Sequence, residues 1–187
     1  EQLFTVCWWE QRGSGISYSR KVTKETMTIG QMIEDATAVT NYLRRRFGKE
    51  KIYVLGHSWG SLLGVLTVQK SPELFHGYIG IGQVVCQSKS ECLAYSFMVN
   101  EFTAAGDRKM LRRLEKFPID RGGEVSFQYL AVRSVGMMKL GIGIMHHLDS
   151  MSDCIKIVLR YKGYTLKDKL HFVMGSGLAL KCLWDFV

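Results

Sequence analysis

Proline is nearly missing from this chain: two prolines stand among 187 residues, beside 19 glycines, and the glycines follow no period, so a collagen-like repeat is excluded. Cysteine is scarce and unpatterned. Cys7, Cys86, Cys92, Cys154 and Cys182 make an odd count, contain no C-x-x-C pair and sit in no His/Cys cluster with zinc-ligand spacing. Reduced thiols in a reducing compartment are the simplest account, so the expectation is a cytoplasmic protein without a metal or other cofactor. No run of about 18 apolar residues is free of charge, and no membrane association is expected. There is no internal repeat, no low-complexity segment and no basic tail. The net charge of +8 divides evenly: residues 1–90 carry 11 basic against 7 acidic side chains, and residues 91–187 carry 14 against 10. The densest basic stretches, Arg44 to Arg46 and Arg108 to Lys116, read as solvated helix faces. With no nucleic-acid-binding motif beside them, no nucleic-acid partner is expected.

What remains is an ordinary globular composition, 47% hydrophobic and 22% charged. The length supports a core without metal or disulfide staples. Leu3 to Trp9 (LFTVCWW) is a short, nearly continuous apolar run, read as a strand buried on both faces. The polar loop Glu10 to Gly15 follows. Thr28 with Gln31 fits a capping box. Ile29, Met32, Ile33, Ala36, Val39, Tyr42, Leu43 and Phe47 then recur at helical spacing up to Gly48, a C-terminal glycine. Lys51 to Leu55 (KIYVL) is a second strand, running into a helix from Ser61 to about Lys70 that Ser71-Pro72 ends. Gly77 to Gly82 is a third. Strand, helix, strand, helix, strand implies a parallel α/β sheet. From Glu91 onward only helices are expected, over 91–105, 107–116, 123–139, 150–160 and 166–185. The division is therefore an α/β core over residues 1–90 and a helical cap over 91–187.

Between the second strand and its helix stands Gly56-His57-Ser58-Trp59-Gly60, a match to G-x-S-x-G. Five residues with three fixed carry little alone. A strand before and a helix after make the context of a nucleophile elbow. A sharp turn there lifts the serine Oγ above the sheet, and the small Gly56 and Gly60 let neighbouring backbone come close. The helix N-terminus directs free N–H groups at the site. The Trp59 N–H is placed to supply half of an oxyanion hole. The competing reading is a glycine-rich turn with an inert serine. His57, although adjacent to Ser58, is read as structural, since the elbow turns a neighbouring side chain away from the nucleophile.

Four segments together resemble the α/β-hydrolase superfamily, and in detail its proline iminopeptidase-like branch. Trp8-Trp9-Glu10-Gln11-Arg12-Gly13-Ser14-Gly15-Ile16-Ser17 is similar to that branch's W/D-Q-R-G-x-G-x-S strand and loop, with Glu10 where Asp is common. Glu34-Asp35 fits its acidic helix position. Lys51 to Gly64 is similar to its elbow, and Ser71-Pro72-Glu73-Leu74-Phe75 to the segment after it. The likeness covers residues 1–85 well, and the rest only as a variable helical cap. It implies a serine hydrolase acting through an acyl-enzyme on Ser58, with a small molecule or short peptide as substrate. It also implies an oxyanion loop before the first strand, and a triad Asp and then His on the loops that follow two strands after the cap. This chain begins with Glu at that first strand and ends at Asp185-Phe186-Val187, so it is expected to be an internal piece of a hydrolase, with another chain or segment completing the sheet.

Inside the chain, His146-His147-Leu148-Asp149 and Asp168 with His171 place acids near histidines, although such pairs are more commonly surface contacts. Met137, Met138 and Trp184 read as helix-bundle interior. Glu101, Glu115 and Glu124 are candidates for the acidic group by which aminopeptidases of this branch hold a substrate amine. The alternative function is a non-catalytic fragment or pseudoenzyme that binds a partner through its open sheet edge.

Overall fold

The computed structural model describes residues 3–119, 125–142 and 151–183. In chain order its main elements are α1 (Ile29–Phe47), β1 (Ile52–His57), α2 (Trp59–Lys70), β2 (Phe75–Ile81), α3 (Gln87–Ala104), α4 (Arg108–Leu114), α5 (Phe127–Lys139), α6 (Met151–Arg160) and α7 (Leu166–Leu183). The chain divides into two compact units. Glu1–Val85 and Tyr161–Val187 form one, and Cys86–Arg160 the other.

In the first unit, α1 begins and ends where the sequence places its limits. The Thr28 hydroxyl accepts the Gln31 N–H at 3.2 Å. The reciprocal half of the expected capping box is absent, because Gln31 Nε2 donates to Asp35 Oδ1 at 3.1 Å instead. Gly48 takes the left-handed conformation at φ 60°, and the Lys49 N–H closes the last turn onto Arg44 O at 2.9 Å. The sheet consists of β1 and β2, parallel, with Tyr53 opposite Gly77, Leu55 opposite Ile79 and His57 opposite Ile81. Parallel strands need a crossover, and α2 is that crossover. Gly64 on α2 admits the ring of Tyr78 from β2: a Cβ there would lie 2.8 Å from the ring.

The strand expected over Leu3 to Trp9 does not form. Leu3 to Trp9 pairs with no strand among the described residues, and Leu3 and Trp8 are nearly fully exposed. An apolar run records a preference for burial, whereas a strand also needs a neighbour for its backbone groups, and neither β1 nor β2 pairs with this segment among the described residues. The Phe4 ring meets Tyr53 edge-on, centroids 6.0 Å apart.

The core of this unit gathers Met27, Met32, Leu63, Cys182 and Leu183, flanked by Trp9, Val22, Trp59 and Leu178. Burying side chains of this size contributes about 1.5–3 kcal/mol each. Cys182 and Leu183 belong to α7, so the boundary differs from the sequence-based division at residue 90. Residues 161–183 pack with 3–85 because α7 supplies part of their core. Gly175 permits this approach: a Cβ there would fall 1.9 Å from Gly13 O.

The regular elements of the second unit are all helices among its described residues, and it lies, in chain order, between β2 and α7. Asp107 caps α4 by accepting the Met110 N–H, and Ser126 caps α5 by accepting the Tyr129 N–H, both at 3.1 Å. Its core is Met98, Phe102, Met110, Leu114 and Val132, with Met137 packed against it as bundle interior. Trp184 lies outside the described residues. No helix among the described residues is long and apolar enough to cross a membrane.

Candidate active site

Ser58 stands between the last residue of β1 and the first of α2, at φ 53°, ψ −121°. Among the described residues it is the one non-glycine with positive φ. Such a conformation costs on the order of 1–3 kcal/mol and persists only where the surroundings over-determine it. Here they do. The Ser58 N–H donates to Ile81 O on the neighbouring strand at 2.9 Å. On the other side, Ser58 O accepts the Ser61 N–H at 2.8 Å and the Ser61 hydroxyl at 2.6 Å. Gly56 is compulsory as well, since a Cβ there would stand 2.2 Å from Gly60 O. Gly60 itself faces open space, so the tight approach is made by its backbone and is not limited by its missing side chain.

Ser58 is exposed, as the elbow reading requires. The Trp59 N–H is the first of α2, where no carbonyl one turn earlier is available to it. The Trp59 side chain is tied down: its indole Nε1 donates to Gln11 Oε1 at 3.1 Å. Gln11 sits in the Glu10 to Ser17 loop, which is held at two further points. Arg12 Nε and Nη2 donate to Asp35 Oδ2 and Oδ1, each at 2.6 Å, and these bonds raise the guanidinium pKa above its already high ordinary value. Glu10 Oε2 accepts the Ile16 N–H and Oε1 accepts the Tyr164 hydroxyl, both at 2.5 Å. Burial, aided by that carboxylate, pushes the Tyr164 phenol up to about 12. Gly15 lies so near Glu10 that a Cβ would come 2.1 Å from Oε2.

The structure disperses the other residues picked from the sequence. His57 is exposed at the end of β1, and no hydrogen bond joins it, or any other described histidine, to Ser58. His76 packs obliquely on Tyr53 at 5.3 Å, and His171 stacks on Tyr18 at 4.3 Å. Asp168 forms a capping box with Thr165. Its carboxylate accepts the Thr165 hydroxyl at 2.6 Å and N–H at 2.9 Å, while Thr165 Oγ1 accepts the Asp168 N–H. Those bonds hold its pKa below the usual aspartate value. Asp168 and His171 thus serve local structure. Glu101 and Glu115 are exposed, whereas His146, His147, Asp149 and Glu124 lie outside the described residues. No group of three or more metal-ligating side chains occurs among the described residues.

Two residues escaped the sequence reading. Ser61 is fully buried against the elbow, and nothing but its small size after Gly60 marks it in sequence. Glu91 is fully buried on α3, with Arg133 Nε 2.7 Å from its Oε2 and Gln87 Nε2 donating to Oε1 at 2.5 Å. The helical spacing of Gln87 and Glu91 was the available signal for one of those contacts.

A family model described as "Serine aminopeptidase, S33" matches residues 1–121, which include the loop, the elbow and both strands. Over 185 residues the chain is 34% identical to the "Probable aminopeptidase YbaC" of Bacillus subtilis (strain 168), covering 99% of this chain and 58% of that protein. The chain therefore spans little more than half the length of that relative. No solved structure matches it. A parallel sheet bearing a strained serine at a strand-to-helix turn, within the matched region, accords with that likeness: the chain belongs to the serine aminopeptidase (S33) family of hydrolases, in the α/β-hydrolase superfamily.

Proposed function

We propose that this chain carries the nucleophile of a serine hydrolase of the proline iminopeptidase-like branch, acting on an ester or amide and, in the favoured reading, on the N-terminal bond of a short peptide. The observation that carries the reading is the backbone of Ser58. A serine held at φ 53°, ψ −121° by three hydrogen bonds, at a helix N-terminus and open to solvent, has a costly geometry with no packing purpose. In the reaction, Ser58 Oγ attacks the carbonyl carbon and its proton passes to a histidine. The tetrahedral oxyanion is met by the Trp59 N–H. The histidine returns the proton to the departing amine or alcohol, leaving an acyl-enzyme, and water then releases the acid and regenerates Ser58.

The histidine and its partnering carboxylate are assigned to polypeptide outside these 187 residues. Support comes from the described histidines, two of which are engaged with aromatic rings and none with Ser58, and from the greater length of the relative. Substrate class rests on the family and on the printed name of that relative, a probable aminopeptidase. The helical unit Cys86–Arg160 is assigned to the family's variable helical cap. The free cysteines Cys7, Cys86 and Cys182 accord with a cytoplasmic location.

A second reading, a non-catalytic chain that binds a partner through its sheet, is favoured by the exposed apolar face of Tyr53, Leu55, Ile79 and Ile81. Intact mass of the longer polypeptide that carries the assigned histidine, after incubation with an alkyl fluorophosphonate, separates the two. One adduct on the wild type and none on Ser58→Ala is the expected result. A folded wild type that takes up no adduct overturns the catalytic reading and leaves the second.

A further inference from the structure

The Ser61 hydroxyl makes two hydrogen bonds from a fully buried position. Oγ donates to Ser58 O at 2.6 Å and accepts the Val84 N–H, from the segment after β2, at 2.9 Å. The backbone of Ser61 is fixed as well: its N–H reaches Ser58 O at 2.8 Å and its carbonyl accepts the Tyr78 hydroxyl at 2.8 Å. Serines on helices often bond the carbonyl three or four residues back and merely lose solvent by it. Two features separate Ser61 from that ordinary case. Its oxygen is held from the far side by Val84, so the hydroxyl proton has one direction left to take. The carbonyl it holds belongs to the peptide that follows the strained residue.

That peptide is planar, with its oxygen and its N–H on opposite sides. Its oxygen is Ser58 O and its N–H is that of Trp59. Fixing the oxygen on the helix side therefore aims the Trp59 N–H the other way, out of the helix end. Without such a restraint the ψ of Ser58 would be free to relax toward a commoner value, rotating the N–H with it.

We infer that Ser61 is a positioning residue of the oxyanion site: through Ser58 O it sets the direction of the Trp59 N–H, with Val84 setting the direction of Ser61. The inference rests on the serine-hydrolase reading of Ser58. It is distinct from a packing role, because it requires the hydroxyl itself and acts on the rate of attack more than on binding.

The test, in the longer polypeptide that carries the assigned histidine, is the rate of Ser58 modification by an alkyl fluorophosphonate, resolved into the limiting rate and the half-saturating concentration, with the end-point adduct counted by mass. For Ser61→Ala the limiting rate falls about tenfold or more, short of the 10²–10³ that removal of an oxyanion donor costs. The half-saturating concentration and the end-point of one adduct stay as in the wild type. Ser61→Thr, which keeps a hydroxyl able to bond Ser58 O, restores the rate. Modification of Ser61→Ala at the wild-type rate overturns the inference while leaving Ser58 a nucleophile. A lower end-point with an unchanged rate per modified site also overturns it, since Ser61 would then only support the fold. If Ser61→Ala does not fold, Ser61→Cys fills the same space with a weaker donor. Its limiting rate falls below wild type, and an unchanged rate overturns the inference. A folded wild type that is not modified overturns this inference together with the proposed function.

Discussion

Arg12 and Asp35, 23 residues apart, meet fork to fork: Nε on Oδ2 and Nη2 on Oδ1, both at 2.6 Å. The pair joins the loop that follows the extended N-terminal segment to the first long helix. Its neighbour Gln11 carries the restraint onward to the indole of Trp59. Both side chains are partly exposed, 29% and 20%, so solvent screens the pair, and its strength lies in the two aligned, charge-assisted bonds. Asp35→Ala is expected to lower the unfolding free energy by about 1–3 kcal/mol, read from urea titrations. Arg12→Lys loses most of the same amount, since an ammonium cannot make the paired contact. A Lys variant as stable as the wild type would show the fork geometry to be idle.

The elbow sets conformational strain against function, and two substitutions move it in opposite directions. Gly56→Ala drives a Cβ to 2.2 Å from Gly60 O, a backbone atom that cannot swing aside, and is expected to cost about 1–3 kcal/mol or more. Ser58→Gly accepts the same positive φ without a Cβ. It is expected to gain up to about 1 kcal/mol while abolishing reaction with a fluorophosphonate. Paired thermal melts and adduct masses check both. A destabilised Ser58→Gly would mean that the serine is held without strain.

Tyr164 places a pH signature on the first unit. Its phenol is raised from 10.0 to about 12 by burial and by the hydrogen bond to Glu10. The folded state therefore holds a proton that the unfolded chain releases near its ordinary value. The stabilisation is complete below that value and is lost as pH rises through about 12. Tyr164→Phe is expected to cost about 1 kcal/mol near neutrality, the usual worth of one such hydrogen bond. The difference in stability between the two proteins should shrink across that alkaline window. A gap that stays constant with pH would place the titration elsewhere, with Tyr129 the first alternative, since burial raises it too.

The legible parts of this protein are the ones whose cause is local. Thr28, Gly48 and the apolar spacing between them mark a helix because each acts within a turn or two of chain. Gly56 and Ser58 mark the elbow for the same reason, as their constraint is the geometry of a single strand-to-helix turn. The Leu3 to Trp9 run forms no strand, because apolar content does not say whether a pairing strand stands beside it. The packing of α7 with residues 1–85 was not legible either. Tyr164 and Glu10 lie 154 residues apart, and a Cys-Leu pair near the C-terminus carries no sign of which core it joins. Ser61 needed Val84, 23 residues on, to acquire its direction. Glu91 had the appearance of one more surface charge.

Glu91 yields the last prediction. Its carboxylate is wholly buried on α3, and Arg133 Nε stands 2.7 Å from it without hydrogen-bond alignment, so that contact is Coulombic. Gln87 supplies the aligned bond, at 2.5 Å to the other oxygen. Removing one member of such a pair strands the other and typically costs 3–5 kcal/mol. Arg133 keeps 30% of its side chain in solvent and can turn outward, which puts Glu91→Ala near the lower end, about 3 kcal/mol. Glu91→Gln retains an acceptor for Gln87 and falls between Ala and wild type. If the pair gains little over an apolar core, Glu91→Leu with Arg133→Met recovers most of the loss, because neither charge is then left behind. Denaturant titrations of the four proteins close the cycle. A Glu91→Ala variant within about 0.5 kcal/mol of wild type would show that water reaches the carboxylate and that the burial is not maintained in solution.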